Sequence, residues 1–226
     1  MKIYLDCADL NTIREFKGRV DGFTTNPTLM FKAGVTDYAS FAKAAIKEAG
    51  DKPISLEVFA DDFKEMERQA RLIASWGNNV YVKIPITNTK GDSSEVLIEK
   101  LSNSDVKVNV TAITTADQCV YIRNKAPMIF SVFAGRIADT GHDPIKTMEE
   151  IIGRYAPNNE FMDILWASPR EVLNIYQARS ISADIITCTP DLLKKYWQLR
   201  GKSLDEFSLE TVQMFYDDGQ RAGYKL

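Results

Sequence analysis

Eight short apolar, β-branched runs punctuate the chain, and stretches of helical period lie between them. The runs are Ile3–Asp6, Gly22–Asn26, Ile54–Phe59, Val80–Ile86, Val106–Ile113, Met128–Phe133, Phe161–Ser168 and Asp184–Thr189. Alternating β and α elements argue for parallel strands. The 226 residues divide into eight units of about 28, close to a minimal βα repeat. That fits a closed (β/α)₈ (TIM) barrel, an α/β fold, better than an open doubly wound sheet. The intervening helices carry their own signals. Thr36 and Asp37 open one that stops at Gly50, and Asp61-Asp62 opens one that carries Phe63, Met66, Ala70 and Ile73 to Gly77. Pro144 and Pro169 stand where first-turn prolines belong, and Pro190-Asp191 opens another helix. No linker, low-complexity tract or repeat divides the chain, so residues 1–226 read as one domain.

Composition narrows the chemistry. Net charge is −3 and the pI about 5.4, so no nucleic-acid surface is expected. No apolar run approaches the roughly 20 residues that span a bilayer, and no signal peptide is visible. A cytoplasmic protein is expected, with Cys7, Cys119 and Cys188 as reduced thiols. His142 is the single histidine. A zinc site built from several histidines is therefore impossible, and no HExxH occurs. Neither GxGxxG nor GxxxxGK[ST] is present. No metal or cofactor is expected.

A barrel fills its interior with side chains and gathers its active site at the C-terminal ends of its strands. Buried parallel strands should be nearly all apolar, so polar residues within them carry information. Among those near the strand ends are Asp6 on the first strand, Thr24 and Asn26 on the second, Glu57 on the third and Lys83 on the fourth. Asn109 and Thr111 follow on the fifth, Ser131 on the sixth and Ser168 on the seventh. Period-two alternation puts Asn109 with Thr111, and Thr24 with Asn26, on one face.

Lys83, within Val80-Tyr81-Val82-Lys83-Ile84-Pro85-Ile86, is the strongest single signal. It could be a gatekeeper on an edge strand, but a closed barrel has no edge. Burial among apolar neighbours favours the neutral amine that a Schiff base requires. Asp6 and Glu57 could move protons for such chemistry, or simply pair with Lys83. Arg136 and Arg170 follow the sixth and seventh strands; singly each reads as a surface residue. Together with Ser168, and with backbone N–H groups after Pro169, they could clamp an anion.

These residues resemble the transaldolase family, in its short branch that includes fructose-6-phosphate aldolases. The matching segments run nearly end to end: Tyr4-Leu5-Asp6, Thr24-Thr25-Asn26-Pro27-Thr28, Glu57-Val58, Val82-Lys83-Ile84-Pro85, Asn109-Val110-Thr111, Ser131 through Ile137, and Ala167-Ser168-Pro169-Arg170. The resemblance implies that Lys83 forms a Schiff base and that Asp6 is the acid/base at the C4 hydroxyl. It implies that Glu57 and Thr111 hold a catalytic water. Asn26, Asn109 and Ser131 would bind a dihydroxyacetone unit, Thr24 would line the site, and Arg136, Ser168 and Arg170 would hold the phosphate. Aldolase-type members carry Gln at the position of Glu57 and Tyr at that of Phe133, so Glu57 and Phe133 imply a transferase. Pro169 stands where the family commonly has an aromatic residue.

The expected substrates are sugar phosphates or related anionic ketoses and aldoses, in the pentose phosphate pathway or a dedicated sugar-modification route. Three rivals stay open: an aldolase that releases free dihydroxyacetone, a class I aldolase acting on deoxyribose phosphate, and a non-catalytic sugar-phosphate-binding barrel. Beyond Gly201, residues 203–226 read as a further amphipathic helix carrying Leu209, Val212, Met214, Phe215 and Tyr216. It could fold back on the barrel. The resemblance implies instead that it packs on a neighbouring subunit, in a homo-oligomeric pentamer or decamer.

Overall fold

The structure, a computed structural model, describes residues 1–119, 122, 125–155 and 162–225. Its centre is a closed barrel in sequential order: β1 (Lys2–Asp6), β2 (Gly22–Thr24), β3 (Ile54–Glu57), β4 (Val80–Pro85), β5 (Val108–Ile113), β6 (Met128–Val132), β7 (Met162–Trp166) and β8 (Ile185–Cys188). Every neighbouring pair is parallel, and β1 pairs with β8 to shut the cylinder. The expected strands are all present, with trimmed ends. Residues such as Thr25, Asn26 and Phe59 leave the ladder and line the rim instead. Phe161, the expected start of the seventh strand, lies outside the described residues.

The helices are α1 (Leu10–Phe16), α2 (Pro27–Lys32), α3 (Tyr38–Ala49), α4 (Phe63–Ala74), α5 (Glu95–Ser102), α6 (Ala134–Asp139), α7 (Pro144–Tyr155), α8 (Leu173–Ser180), α9 (Pro190–Leu199) and α10 (Leu204–Ala222). Local chemistry sets most starts. Asp37 caps α3 and Asp62 caps α4 through their carboxylates. The α4 helix buries Met66, Ala70 and Ile73 against the barrel; full burial of one large apolar side chain contributes about 1.5–3 kcal/mol. Two expectations need correction. The α4 helix ends at Ala74, capped by Ser75, rather than at Gly77. Pro169 does not open a helix: α8 begins at Leu173, and Asn174 turns back so that its Oδ1 accepts the N–H groups of Arg170 and Glu171, at 2.7 and 3.1 Å.

Two apolar layers follow from the alternation. Outward residues such as Val82, Ile84, Val108 and Ile164 pack under the helices. Inward residues Tyr4, Ile129, Leu165, Ala167 and Ile185 fill the barrel. Gly22 is required where it stands, since a Cβ there would lie 2.6 Å from the Tyr4 ring. On β5 the register slips between Val110 and Ile113. The additional residue is exposed Ala112 at φ 63°, a bulge that keeps Thr111 inward and Ile113 outward.

The α10 helix stands apart. A capping box of Ser203 and Glu206 starts it, and Gly223 ends it in the left-handed conformation. None of its residues is buried, and Leu204, Leu209 and Phe215 are each at least 65% exposed. It does not fold back to bury its apolar stripe on the barrel of its own chain. Among the described residues no helix is long and apolar enough to cross a membrane.

Candidate active site

The parallel register builds the site. Glu57 is the register partner of Lys83, and Lys83 that of Asn109. Asp6 on β1 is the register partner of Thr24 on β2. Period two turns all five inward at the C-terminal mouth. Lys83 is 6% exposed. Its Nζ lies 3.2 Å from Glu57 Oε2 and donates to the Thr25 carbonyl at 3.2 Å. The amine is thus held on two sides, at the head of a β-strand with little rotational freedom.

Asp6 accepts a hydrogen bond from Thr24 Oγ1 at 2.7 Å. Burial pushes its carboxyl above the usual range; the Lys83 charge and the Thr24 hydroxyl oppose that shift, and Glu57 adds to it. Thr24 Oγ1 is also 2.6 Å from Thr187 Oγ1.

The remaining polar residues form a second wall. Ser131 Oγ donates to Asn109 Oδ1 at 2.7 Å, and Asn109 Nδ2 donates to Ser55 Oγ at 3.0 Å. This chain fixes the Asn109 amide. Thr111 Oγ1 is buried and has no hydrogen-bond partner among the described residues. A buried hydroxyl in that state is costly unless something else satisfies it, and a water or substrate hydroxyl at the mouth fits. Asn26 does double duty. Its Oδ1 accepts from the Leu29 N–H at 2.9 Å and caps α2, with Pro27 in the first turn, which leaves Nδ2 for a ligand.

The two arginines are held differently. Arg170 forms a forked ion pair with Asp139. Arg136 lies 5.3 Å from the centroid of the Phe133 ring. It has no carboxylate partner among the described residues, and it lines a rim cleft of about 540 Å³ with Thr114, Thr140 and His142. The expected opening of backbone N–H groups beyond Pro169 is absent, since Asn174 occupies them. Ser168 stands between at φ 56°, with its carbonyl over Gly135. Among the described residues, no three of His, Cys, Asp and Glu gather as metal ligands would.

Four supporting residues went unnoticed in the sequence. Ser55 and Thr187 share their strands' inward faces with Glu57 and Ile185, so alternation carried a signal for both. Thr25 acts through its carbonyl, and Tyr38 donates to the Glu57 carbonyl at 2.7 Å from α3. Neither role has a sequence signature.

Residues 3–226 match the family described as transaldolase/fructose-6-phosphate aldolase. A protein of Chelativorans sp. (strain BNC1) named probable transaldolase is 36% identical over 99% of this chain and 100% of its own. One of Thermoanaerobacter sp. (strain X514), with the same name, is 33% identical over 100% of both chains. A solved structure, that of KGPDC from Streptococcus mutans, superposes with a TM-score of 0.54 over 83% of this chain and 87% of that one. At 12% identity, that likeness is one of fold. By the end-to-end match, the chain belongs to the transaldolase/fructose-6-phosphate aldolase family.

Proposed function

We propose that this enzyme transfers a dihydroxyacetone unit from a ketose phosphate to an aldose phosphate through a Schiff base on Lys83. The observation that carries the reading is the buried Lys83 amine within 3.2 Å of Glu57, with Asp6 close enough to feel the Lys83 charge. Glu57 takes a proton from the amine, which attacks the C2 carbonyl. Loss of water gives a protonated imine. Asp6 accepts the C4 hydroxyl proton, the C3–C4 bond breaks, and its electron pair moves into the imine to form an enamine as the aldose leaves. The enamine carbon attacks the aldehyde of the acceptor, and Asp6 returns its proton to the new C4 oxygen. Water held by Glu57 and Thr111 then hydrolyses the imine. Asn26, Asn109 and Ser131 hold the hydroxyls of the three-carbon unit, and Thr24 lines the site. Borohydride added with a ketose phosphate should leave a reduced adduct on Lys83, located by peptide mass mapping. An adduct on another lysine refutes the assignment.

Arg136, Ser168 and Arg170 hold the phosphate in this reading, with the anion displacing Asp139 from Arg170. Arg170→Ala should raise KM for phosphorylated substrates roughly ten- to hundred-fold, the loss of one charge-assisted contact. Stability should barely change, because the Arg170–Asp139 pair is about half exposed. Equal losses on unphosphorylated sugars would contradict phosphate recognition.

The choice of transferase over aldolase follows from Phe133. Its apolar ring offers no hydroxyl to order a proton donor at the enamine. Phe133→Tyr should raise free dihydroxyacetone relative to transfer product, measured by coupled assay. An unchanged ratio places the choice elsewhere.

The α10 helix serves as an arm to a neighbouring subunit in a closed ring. Its capped ends and unburied stripe support this, since most of a helix's stability in a protein comes from packing its apolar face. Light scattering on the whole chain and on one ending at Gly201 should show an oligomer and a smaller species. A monomeric whole chain removes the arm's role.

A further inference from the structure

One buried hydroxyl at the mouth is used by none of the steps above. Thr187 lies on β8, 5% exposed, and is the register partner of inward-facing Tyr4. Its neighbours Ile185, Ile186 and Cys188 are apolar and buried, so a hydroxyl here needs a partner to offset its desolvation. That partner is Thr24 Oγ1, at 2.6 Å, which in turn lies 2.7 Å from Asp6 Oδ1. Valence sets the direction. An ionised carboxylate only accepts, so Thr24 gives its one hydrogen to Asp6. Thr24 can then only accept from Thr187, and Thr187 donates. Residues on β8, β2 and β1 form one polarised chain that ends on Asp6.

Resting on the assignment of Asp6 as the acid/base, we propose that Thr187 is a positioning residue that holds Asp6 ionised and oriented through Thr24. Oδ1 is engaged by the chain, which leaves Oδ2 to meet the substrate hydroxyl. The need for such support is visible in the surroundings. The ionisable groups near enough to act on Asp6 are Lys83 from β4 and Glu57 from β3 inside the barrel, and the thiols of Cys7 and Cys188 in the outer layer. Burial pushes the Cys7 thiol up to about 12 and that of Cys188 higher still, so both are neutral. Among the described residues, Lys83 is then the one cation at hand. In the proposed mechanism it becomes a neutral enamine nitrogen part-way through the cycle, while the threonine chain persists throughout.

Thr187→Val keeps the shape of the side chain and removes the donor. The bond that Thr187 gives to Thr24 polarises the Thr24 hydroxyl and so strengthens its bond to the Asp6 carboxylate, and the loss of that support falls mainly on the ionised form. The Asp6 pKa then rises, and activity that requires the carboxylate fails at a higher pH. The acidic limb of kcat/KM should move up by a few tenths of a pH unit, the size of a cooperative strengthening of about 10–30% on one charge-assisted hydrogen bond. Thr187→Ser, which restores a donor, should return it. Imine formation does not use Asp6, so borohydride should still label Lys83 in Thr187→Val. If Asp6→Asn is inactive while folded Thr187→Val has an unmoved limb, the proposal falls. If Asp6→Asn stays active, the assignment of Asp6 falls instead, and with it the basis of the proposal. Should Thr187→Val fail to fold by circular dichroism, Thr187→Ala is read in the same way.

Discussion

Lys83→Ala should lower kcat/KM on the order of 10⁴-fold or more, with the barrel still folded. The loss is large because no other group can take over. In the proposed mechanism the imine is the electron sink for C3–C4 cleavage, and among the described residues the Lys83 amine is the one that Glu57 faces in an ion pair. The fold should survive. Glu57 loses its partner, but its side chain is 18% exposed and can hydrate or take up a proton. Single-turnover assays measure the rate, and circular dichroism checks the fold. Activity within tenfold of the parent would exclude Lys83 as the nucleophile. Wild-type trapping by borohydride at a different lysine would do the same by an independent route.

Gly135→Ala should be the most damaging small substitution outside the mouth. A Cβ at Gly135 would lie 1.6 Å from the Ser168 carbonyl oxygen and 2.7 Å from its carbon. These are backbone atoms, so no rotamer change relieves the clash. Ser168 already holds a left-handed φ of 56°, and the Gly135 N–H reaches the Ala167 carbonyl at 3.4 Å. The α6 helix must therefore lift from the end of β7. Overpacking that moves backbone costs about 3 kcal/mol or more, or roughly 10 °C in melting temperature for a chain of this size. Arg136 and Arg170 sit on the two segments forced apart, so KM for phosphorylated substrates should rise as well. Gly153→Ala is the control. It lies within α7 with nothing inside 4 Å of its Cβ and should stabilise by about 0.5–1 kcal/mol. Calorimetry that finds the two variants equally stable would show that the close approach at Gly135 is not enforced.

The barrel was legible because its signals are local. Runs such as Val80–Ile86 and caps such as Asp37 and Asp62 are written in adjacent residues. The polar inward set was legible for a related reason: a lysine or carboxyl among apolar strand residues is anomalous wherever it occurs. Hydroxyls escaped that test. Thr187 and Ser55 look like ordinary strand residues, and their roles appear only when β8 meets β2 and β3 meets β5 across the interior. The environment of Arg170 was hidden for the same reason. Asp139 is 31 residues away, and no spacing rule links a helix end to the following loop. Pro169 misled because its φ suits a first helical turn and a loop equally well; the side chain of Asn174, five residues on, supplies the cap.

The seam where β1 meets β8 has a consequence for how the chain is made. Lys2 pairs with Ile185 and Leu5 with Cys188, so the first strand to leave the ribosome waits for nearly the last. At about 5–20 residues per second, that wait is on the order of 10–40 s. Throughout it, an edge of the nascent sheet has no strand to join, and such edges invite pairing with other chains. Asp6 sits on the early side of the seam and Thr187 on the late side. Within the barrel, the arrangement around Asp6 is thus among the last to be completed, and a chain stalled short of β8 would carry Lys83 and Glu57 but lack the closed barrel that orients them.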